Sequence, residues 1–412
     1  MLPPYKSFPV HLAIIQPTTF CNLDCTYCYL PDRAAIRKMT PAIAEQMMRF
    51  LFRNPELVAK QMTMLWHSGE PLVQPISFYE TAFQMEQHYA PASTVIRNSI
   101  QTNGTLINQQ WCDFIRAWDI DIGVSLDGPR WLHDANRVDR SGKATFDRVL
   151  RGIEFLQSND IKFSVIAVLS EKSLDCPAEI WHFFRDLGVQ SLHFLCEEVQ
   201  GVHLTTSVRK QDRLTRVRSF YERLLELRAQ TDPSISIRDL DYFFNGIPVW
   251  HGSVRAIEQL PLGIVNISWD GKVTTFSPEL LAAKTTRYGE FVFAHVAQDS
   301  LEDILENPTF LAVYKDILAG VHKCRMSCEY FDVCGGGQPS NKYYENGSFD
   351  STETLTCQTK IIAACSVVLQ SLERQHGFGH EEGLSANDRI KRLQPLMDAP
   401  PLEKLRVFEF VS

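Results

Sequence analysis

His11-Leu12-Ala13-Ile14-Ile15-Gln16-Pro17-Thr18-Thr19-Phe20-Cys21-Asn22-Leu23-Asp24-Cys25-Thr26-Tyr27-Cys28-Tyr29 is the stretch that decides the fold. Its first six residues are apolar and extended and read as a strand. A loop carrying three cysteines follows at once. Working outward, the same unit recurs. Pro41–Phe52 carries a helical apolar pattern, with Thr40 as N-cap and Pro41 in the first turn. Met62–Trp66 then reads as a strand. Helix and strand alternate through Phe78–His88, Val95–Gln101, Gln109–Trp118, Ile120–Leu126, Phe146–Gln157, Phe163–Leu169, Ala178–Leu187 and Ser191–Leu195. Six β–α repeats with crossovers this long predict parallel strands. Parallel sheets are covered on both faces, which suits strands this apolar. An open doubly wound sheet and a partial barrel both satisfy the pattern. In either, chemistry gathers at the C-terminal ends of strands. The cysteine loop, His67–Pro71, Thr102–Gly104 and Ser125–Gly128 all fall there.

From about Gly201 the rhythm changes. Arg209–Ala229 reads as a long helix, and Ile264–Phe276 as a hairpin turning at Asp270–Gly271. Leu301–Val321 is helical. A second cysteine group follows, with a loop rich in Gly335–Gly337, Tyr and Asn, and then a charged tail, Gly377–Ser412. The 412 residues suit one large α/β domain plus a smaller one. The expected divisions are a barrel over 1–200, a helical bridge over 201–262, a cysteine-bearing domain over 263–370 and an extension over 371–412.

The net charge of −8 leaves no basic footprint for nucleic acid; a peptide or small molecule is the easier partner. No apolar run approaches the roughly 20 residues that span a membrane. The N-terminus lacks the basic start and cleavage site of a signal peptide. The expected location is the cytoplasm, with neither membrane nor nucleic acid as partner. There, clustered cysteines mean metal more often than disulfides. Seven of the eleven cysteines form two groups: Cys21, Cys25, Cys28, and Cys324, Cys328, Cys334, Cys357. Cys112, Cys176, Cys196 and Cys365 read as buried or idle thiols.

Spacings of three and two residues let the first loop wrap three thiolates around one iron–sulfur cluster. The missing fourth ligand is informative, because an open metal position marks catalytic rather than structural sites. Zinc, or chance, is the alternative, but three thiolates underfill structural zinc and the nearest histidine is His11. The second group offers four thiolates, which would fill and close a site. Four also suit zinc.

The Cys-x3-Cys-x-aromatic-Cys loop, with Tyr27 as the aromatic, resembles the signature of the radical S-adenosylmethionine (SAM) superfamily. The resemblance implies a partial (β/α)6 barrel and a 4Fe–4S cluster on Cys21, Cys25 and Cys28 whose open iron binds SAM. Ser68-Gly69-Glu70-Pro71 is similar to the family's Gly-Gly-Glu-Pro motif, with Ser68 in place of the first glycine; Glu70 and nearby backbone would contact the SAM ammonium. Ser125 and Arg137 would hold its carboxylate, a pairing suited to a bidentate guanidinium. Asn103 would help at the ribose or carboxylate, and Leu195 would touch adenine.

Cys324-x3-Cys328-x5-Cys334 with Cys357 resembles the SPASM extension of peptide- and protein-modifying members, with x3 in place of the usual x2. The resemblance implies one C-terminal auxiliary 4Fe–4S cluster. The usual inner auxiliary cluster lacks its cysteines, since none occurs between Cys196 and Cys324 and Gln338 stands where another would fall. Two clusters in total are expected. Sulfatase-maturing relatives carry a basic Asp after the hairpin; this chain has Phe276-Ser277-Pro278-Glu279, leaving Glu279 as the candidate base.

The stretch Cys334–Lys342, then Glu345–Phe349, Thr352–Thr354 and Thr275–Leu280, is similar to cyclophane-forming radical SAM/SPASM peptide maturases of the GrrM/OscB kind. Such enzymes join an aromatic ring carbon to the β-carbon of a residue two positions later in a ribosomal precursor peptide. The implied course is reductive SAM cleavage, β-hydrogen abstraction by a 5′-deoxyadenosyl radical, addition to the ring, and loss of one electron and one proton. The auxiliary cluster is the implied electron acceptor, and flavodoxin or ferredoxin the implied donor. Only twenty residues precede Cys21. Leader recognition is therefore expected at the acidic surface, the Gly335–Phe349 loop, the tail or a separate protein. The alternative is sulfatase-maturase-like oxidation of a protein Cys or Ser to formylglycine.

Overall fold

A computed structural model of the protein describes residues 8–208, 211–250, 256–379 and 383–397. The apolar runs of the first half become six strands: β1 (Val10–Ile15), β2 (Val58–Trp66), β3 (Val95–Thr102), β4 (Asp121–Ser125), β5 (Phe163–Leu169) and β6 (Ser191–Cys196). They lie side by side in chain order, each parallel to the next. This order lacks the point of reversal that a doubly wound sheet would have. The partial barrel is therefore the arrangement formed.

Helices α1 (Pro41–Phe52), α2 (Ile76–Tyr89), α3 (Gln109–Ala117), α4 (Arg130–Asn136), α5 (Phe146–Ser158) and α6 (Pro177–Asp186) fill the connections. Thr40 caps α1 as expected, accepting from the Ile43 amide at 3.3 Å. The outer core is strongly aromatic. Trp66 meets Tyr79 edge-on at 5.1 Å, and Phe83 stacks on Phe114 at 5.7 Å. Such pairs add about 1 kcal/mol each beyond burial.

The remaining chain extends this sheet at both edges. After α7 (Arg213–Thr231), β7 (Ser236–Ile237) pairs parallel with β6, and α8 (Arg238–Gly246) follows. The hairpin, β8 (Ile264–Ile267) and β9 (Lys272–Thr275), pairs parallel with β1 through β8. It turns at Gly271, whose φ of 89° and 2.8 Å approach to Val296 leave no room for a side chain. A short strand, Ala294–His295, completes the ten strands of this sheet among the described residues. The hairpin thus delivers its exit, residues 276–279, to the first strand of the barrel.

Two expectations change, and the charged tail, whose order the sequence left open, gains a place. Leu301–Val321 is not one helix but two, α9 (Leu301–Glu306) and α10 (Pro308–Ser327). Asn307 between them is extended, and its side chain accepts from the Thr309 and Phe310 amides. After α11 (Phe331–Cys334), the expected Gly335–Phe349 loop contains a helix, α12 (Pro339–Asn346). Pro339 starts this helix and left-handed Gly347 ends it. A π-helical turn, Cys357–Ile362, leads into α13 (Ala363–Gln375), which packs on α7 and α8. Finally, part of the tail is docked. Helix α14 (Ala386–Leu393) lies on α13, where Glu373 pairs with Arg389 at 2.8 Å and Arg392 at 3.2 Å. Arg209, the expected start of α7, and residues 398–412 lie outside the described residues. Among the described residues no helix is long and apolar enough to cross a membrane.

Candidate active site

The first cysteine loop is shaped by arginines that hold its carbonyls. Arg33 pairs with Asp24 at 2.7 Å and reaches the carbonyl oxygens of Cys25 and Cys28, both at 3.4 Å. Arg140 donates to the Cys21 carbonyl at 2.9 Å. The Cys21 sulfur accepts from the Leu23 amide at 3.4 Å and from Asn103 Nδ2 at 3.7 Å. Cys25 keeps a partly open face. Its surroundings still push the thiol up to about 11, through burial first, with Arg137 pulling the other way. Burial and the neighbouring Glu70 raise Cys21 as well. Soft sulfurs in mutual repulsion are a donor set that a cationic metal centre satisfies. Among the described residues no three His, Cys, Asp or Glu side chains converge on a single ion. Thiolates of a cluster need not do so, since each takes a separate iron.

Cys25, Tyr27, Cys28, Ser125, Arg137, Leu195 and Glu279 line one cavity of about 190 Å³ at the C-terminal ends of the strands. The loop after β1, the ends of β4 and β6 and the hairpin exit are thereby brought together. His67, Gln101, Cys196 and Glu198 line it too. Burial pulls His67 down to about 4, so its imidazole is neutral. Ser125 Oγ accepts from Gln101 Nε2 at 3.0 Å. Cys196, read from sequence as a buried or idle thiol, lines this cavity, and burial pushes it up to about 12.

Sequence reasoning missed Asp127. Fully buried, it pairs with Arg137 at 3.0 Å, accepts from the Val168 amide at 3.0 Å and receives the Tyr27 hydroxyl. The Arg137 guanidinium sits 5.4 Å from the Tyr27 ring centre. Asp127 therefore fixes two of the residues assigned to the cofactor. The signal was its place in Ser125–Gly128, a strand end where chemistry gathers, but only Ser125 was given a role there.

Glu70 and Asn103 stand apart from this cavity's lining. The Glu70 carboxylate accepts from Thr102 Oγ1 (2.6 Å), the Asn103 amide (2.8 Å) and the Leu72 amide (3.0 Å). It ties the end of β2 to the end of β3. Asn103 in turn holds Asn22 at 2.8 Å, beside Cys21. Ser68 and Gly69 both have positive φ, 73° and 69°. A side chain at Gly69 would lie 2.4 Å from the Thr18 carbonyl oxygen. Ser68 tolerates its left-handed geometry with its hydroxyl 3.1 Å from that of Tyr29.

Glu279 reaches the cavity through a strained exit. Fully buried Phe276 has a φ of 71°, an uncommon state for an aromatic residue. It is clamped by stacking on Phe310 at 5.7 Å and Tyr314 at 6.3 Å. Ser277 Oγ donates to the Glu279 carboxylate, and the Tyr344 hydroxyl to its carbonyl at 2.8 Å. Burial pushes Glu279 up to about 8; nearby Glu198 adds to the rise and Lys360 opposes it. Glu198 itself accepts from Asn341 Nδ2 at 3.2 Å.

All four cysteines of the second group line a separate cavity of about 500 Å³. Buried Lys342 donates to the Cys324 sulfur at 3.3 Å, and the Thr354 amide to that of Cys357 at 3.3 Å. The cavity greatly exceeds the roughly 10–15 Å³ of space that one water needs. Its size and sulfur donors fit a cluster better than a lone tetrahedral ion.

A family profile described as the Radical SAM superfamily matches residues 15–184. The uncharacterized protein sll1766 of Synechocystis sp. is 42% identical over 374 residues, covering 90% of this chain and 94% of its own length. The serine-type anaerobic sulfatase-maturating enzyme of Klebsiella aerogenes is 36% identical over 192 residues, covering 46% of this chain and 47% of that protein. Two solved structures share the fold. Native anSMEcpe with bound AdoMet and Cp18Cys peptide matches at a TM-score of 0.71 and 20% identity, covering 90% of this chain and 99% of that one. Streptococcus suis SuiB bound to precursor peptide SuiA matches at 0.59 and 17%, covering 85% and 76%.

Proposed function

From the premise that this chain belongs to the radical SAM superfamily and is a radical SAM enzyme, we propose that it forms cyclophane crosslinks in a ribosomally made precursor peptide. Each link would join an aromatic ring carbon to the β-carbon of a residue two positions later. Cys21, Cys25 and Cys28 would hold the SAM-binding 4Fe–4S cluster, and Cys324, Cys328, Cys334 and Cys357 a second one. When bound, SAM and its cluster supply a carbon radical able to take a hydrogen atom from an unactivated C–H bond.

The chain's own residues position and deprotonate. Arg137, set by Asp127 and Tyr27, offers a guanidinium edge to a carboxylate, and Ser125 a hydroxyl. Apolar Ile166, Val168 and Leu195 line the same cavity and limit water there. Glu279 takes the ring proton whose loss restores aromaticity. The observation carrying this reading is a buried carboxyl group, poised at about 8, in the cavity that Cys25 and Cys28 line. A base titrating near the working pH is suited to such a transfer.

Oxidation of a protein Ser or Cys to formylglycine is the second reading, favoured by the 36% identity to the Klebsiella maturase over 46% of the chain. Co-expression with candidate short peptides from reading frames flanking the gene, followed by mass spectrometry, tests both. A loss of two hydrogens per ring, abolished by Cys25→Ala, is expected. Serine oxidation also removes two hydrogens, so fragmentation must place the loss. A cyclophane suppresses backbone fragments within the ring, whereas formylglycine reacts with hydrazides. An unmodified peptide alongside active SAM cleavage would end the cyclophane reading.

A further inference from the structure

A second cavity, of about 240 Å³, lies on the other side of Glu279. Ile14 on β1 and Asn266 and Ser268 at β8 line it, as alternate residues along adjoining strands. Tyr29 and Glu279 line both this cavity and the one holding Cys25 and Cys28. The two spaces therefore adjoin. Trp269 stands among the lining residues of the second, with the Arg37 guanidinium 5.8 Å from its ring centre.

Asn266 is the anomaly of this cavity. It occurs in a strand whose other residues, Ile264, Val265 and Ile267, are apolar and buried. It is 0% exposed, and neither its Oδ1 nor its Nδ2 has a hydrogen-bond partner among the described residues. A buried amide left unpaired costs free energy, and folded proteins rarely keep one without a use. A carboxamide offers one acceptor and two donors. Its natural complement is another amide, which presents a carbonyl and an N–H. An extended peptide presents such groups at regular intervals along its backbone.

We infer that Asn266 reads the backbone of the substrate, pairing its carboxamide with one peptide group of an extended segment that runs from the Trp269 side of this cavity to Glu279. This rests on the peptide-modifying reading above. It adds a binding site that selects for peptide backbone, one cavity away from the reacting carbon. Recognition through a backbone group leaves the neighbouring side chains free to vary, so several rings along one precursor could pass the same residue.

The test compares wild type with Asn266→Leu on a synthetic candidate precursor peptide, taken from a short reading frame flanking the gene. Leucine keeps the volume and removes both polar atoms. The KM for the peptide should rise about tenfold, the worth of one or two neutral hydrogen bonds. The kcat at saturating peptide should change much less, and the melting temperature should hold or rise because an unpaired buried amide is gone. Asn266→Thr, which suits a strand, repeats the measurement if the leucine variant loses iron or melts early. An unchanged KM in a folded variant overturns the inference, as does a loss confined to kcat. If wild type cleaves SAM but neither binds nor alters the peptide, the peptide reading fails and this inference falls with it; if wild type works and the variant matches it, only the inference fails.

Discussion

The two cysteine groups sit in one chain and offer the same donor type, yet their surroundings differ. The first places three thiols on a loop at the mouth of the barrel, beside a cavity that also holds Arg137, Ser125 and Glu279. The second places four around a cavity of their own, with a buried lysine and a backbone amide donating to sulfur. Three ligands leave a metal position for an exchangeable partner, and four close it. On the proposed reading, one region binds and reacts and the other holds charge. The link between them is short: Asn341 bonds Glu198 of the reacting cavity, and its neighbour Lys342 bonds Cys324 of the closed one.

The largest effect should come from setting Cys25→Ala against Cys334→Ala. The first should reduce 5′-deoxyadenosine formation to background. The second should leave SAM cleavage measurable while peptide product is lost, because its thiol belongs to the other site. Iron analysis should show each variant losing about half the metal, roughly four of eight irons if both clusters are of the 4Fe–4S type. If Cys334→Ala also silenced SAM cleavage in a folded protein, the division of labour would be wrong.

Next in size is Glu279→Gln. Removing a general base costs on the order of 10²–10⁴-fold, so product should fall by that range while 5′-deoxyadenosine still appears. The pH profile gives the sign. Glu279 works as a base only when ionised, and its value of about 8 leaves it mostly protonated at pH 7. Product formation should therefore rise as pH climbs through 8, and that rise should vanish in Glu279→Gln. Glu198 after β6, Lys360 in the π turn, and Tyr29 and Tyr344 all surround this carboxyl group and share its field. A flat wild-type profile between pH 7 and 9 would remove Glu279 from the mechanism.

The barrel and both cysteine groups were legible because their signals are local. Apolar runs of strand length and cysteines at fixed spacing need no tertiary knowledge. Pro41 and Thr40 likewise announce a helix start that forms as read. What escaped depends on distance. Asp127 had a place in sequence, at the end of a strand, but no role, and only folding brings Arg137, Tyr27 and the β5 amide onto it. Cys196 is a lone thiol in sequence and a cavity wall in space. The break at Asn307 was in principle readable from Asn-Pro, but the apolar periodicity on both sides masked it. Helix α12 hid inside a Gly- and Asn-rich stretch because its start and stop residues, Pro339 and Gly347, are also turn residues.

Asp127→Asn sharpens the comparison from the reacting side. It leaves Arg137 buried with half its partner, and breaking a buried ion pair costs about 3–5 kcal/mol. The melting temperature should fall, and the KM for SAM should rise because Arg137 and Tyr27 lose their shared anchor. A variant with wild-type stability and SAM affinity would show that the pair has no positioning role.

Lys342→Met addresses the closed site and should give the smallest effect. The lysine is buried and donates to Cys324 at 3.3 Å, so it offsets the negative charge that four thiolates bring to a cluster. Adding an electron makes that charge more negative, so a nearby cation favours the reduced form. Losing it should lower the midpoint potential of the second cluster by something on the order of 100 mV, where about 59 mV is tenfold for one electron. Methionine keeps much of the side-chain length, so packing should change little. SAM cleavage should be unaffected, because the first loop lies in another cavity, while product formation should slow only several-fold. An unchanged potential would mean that Lys342 shapes the cavity without tuning its charge, and the contrast between a reacting site and an electron-holding site would then rest on ligand number alone.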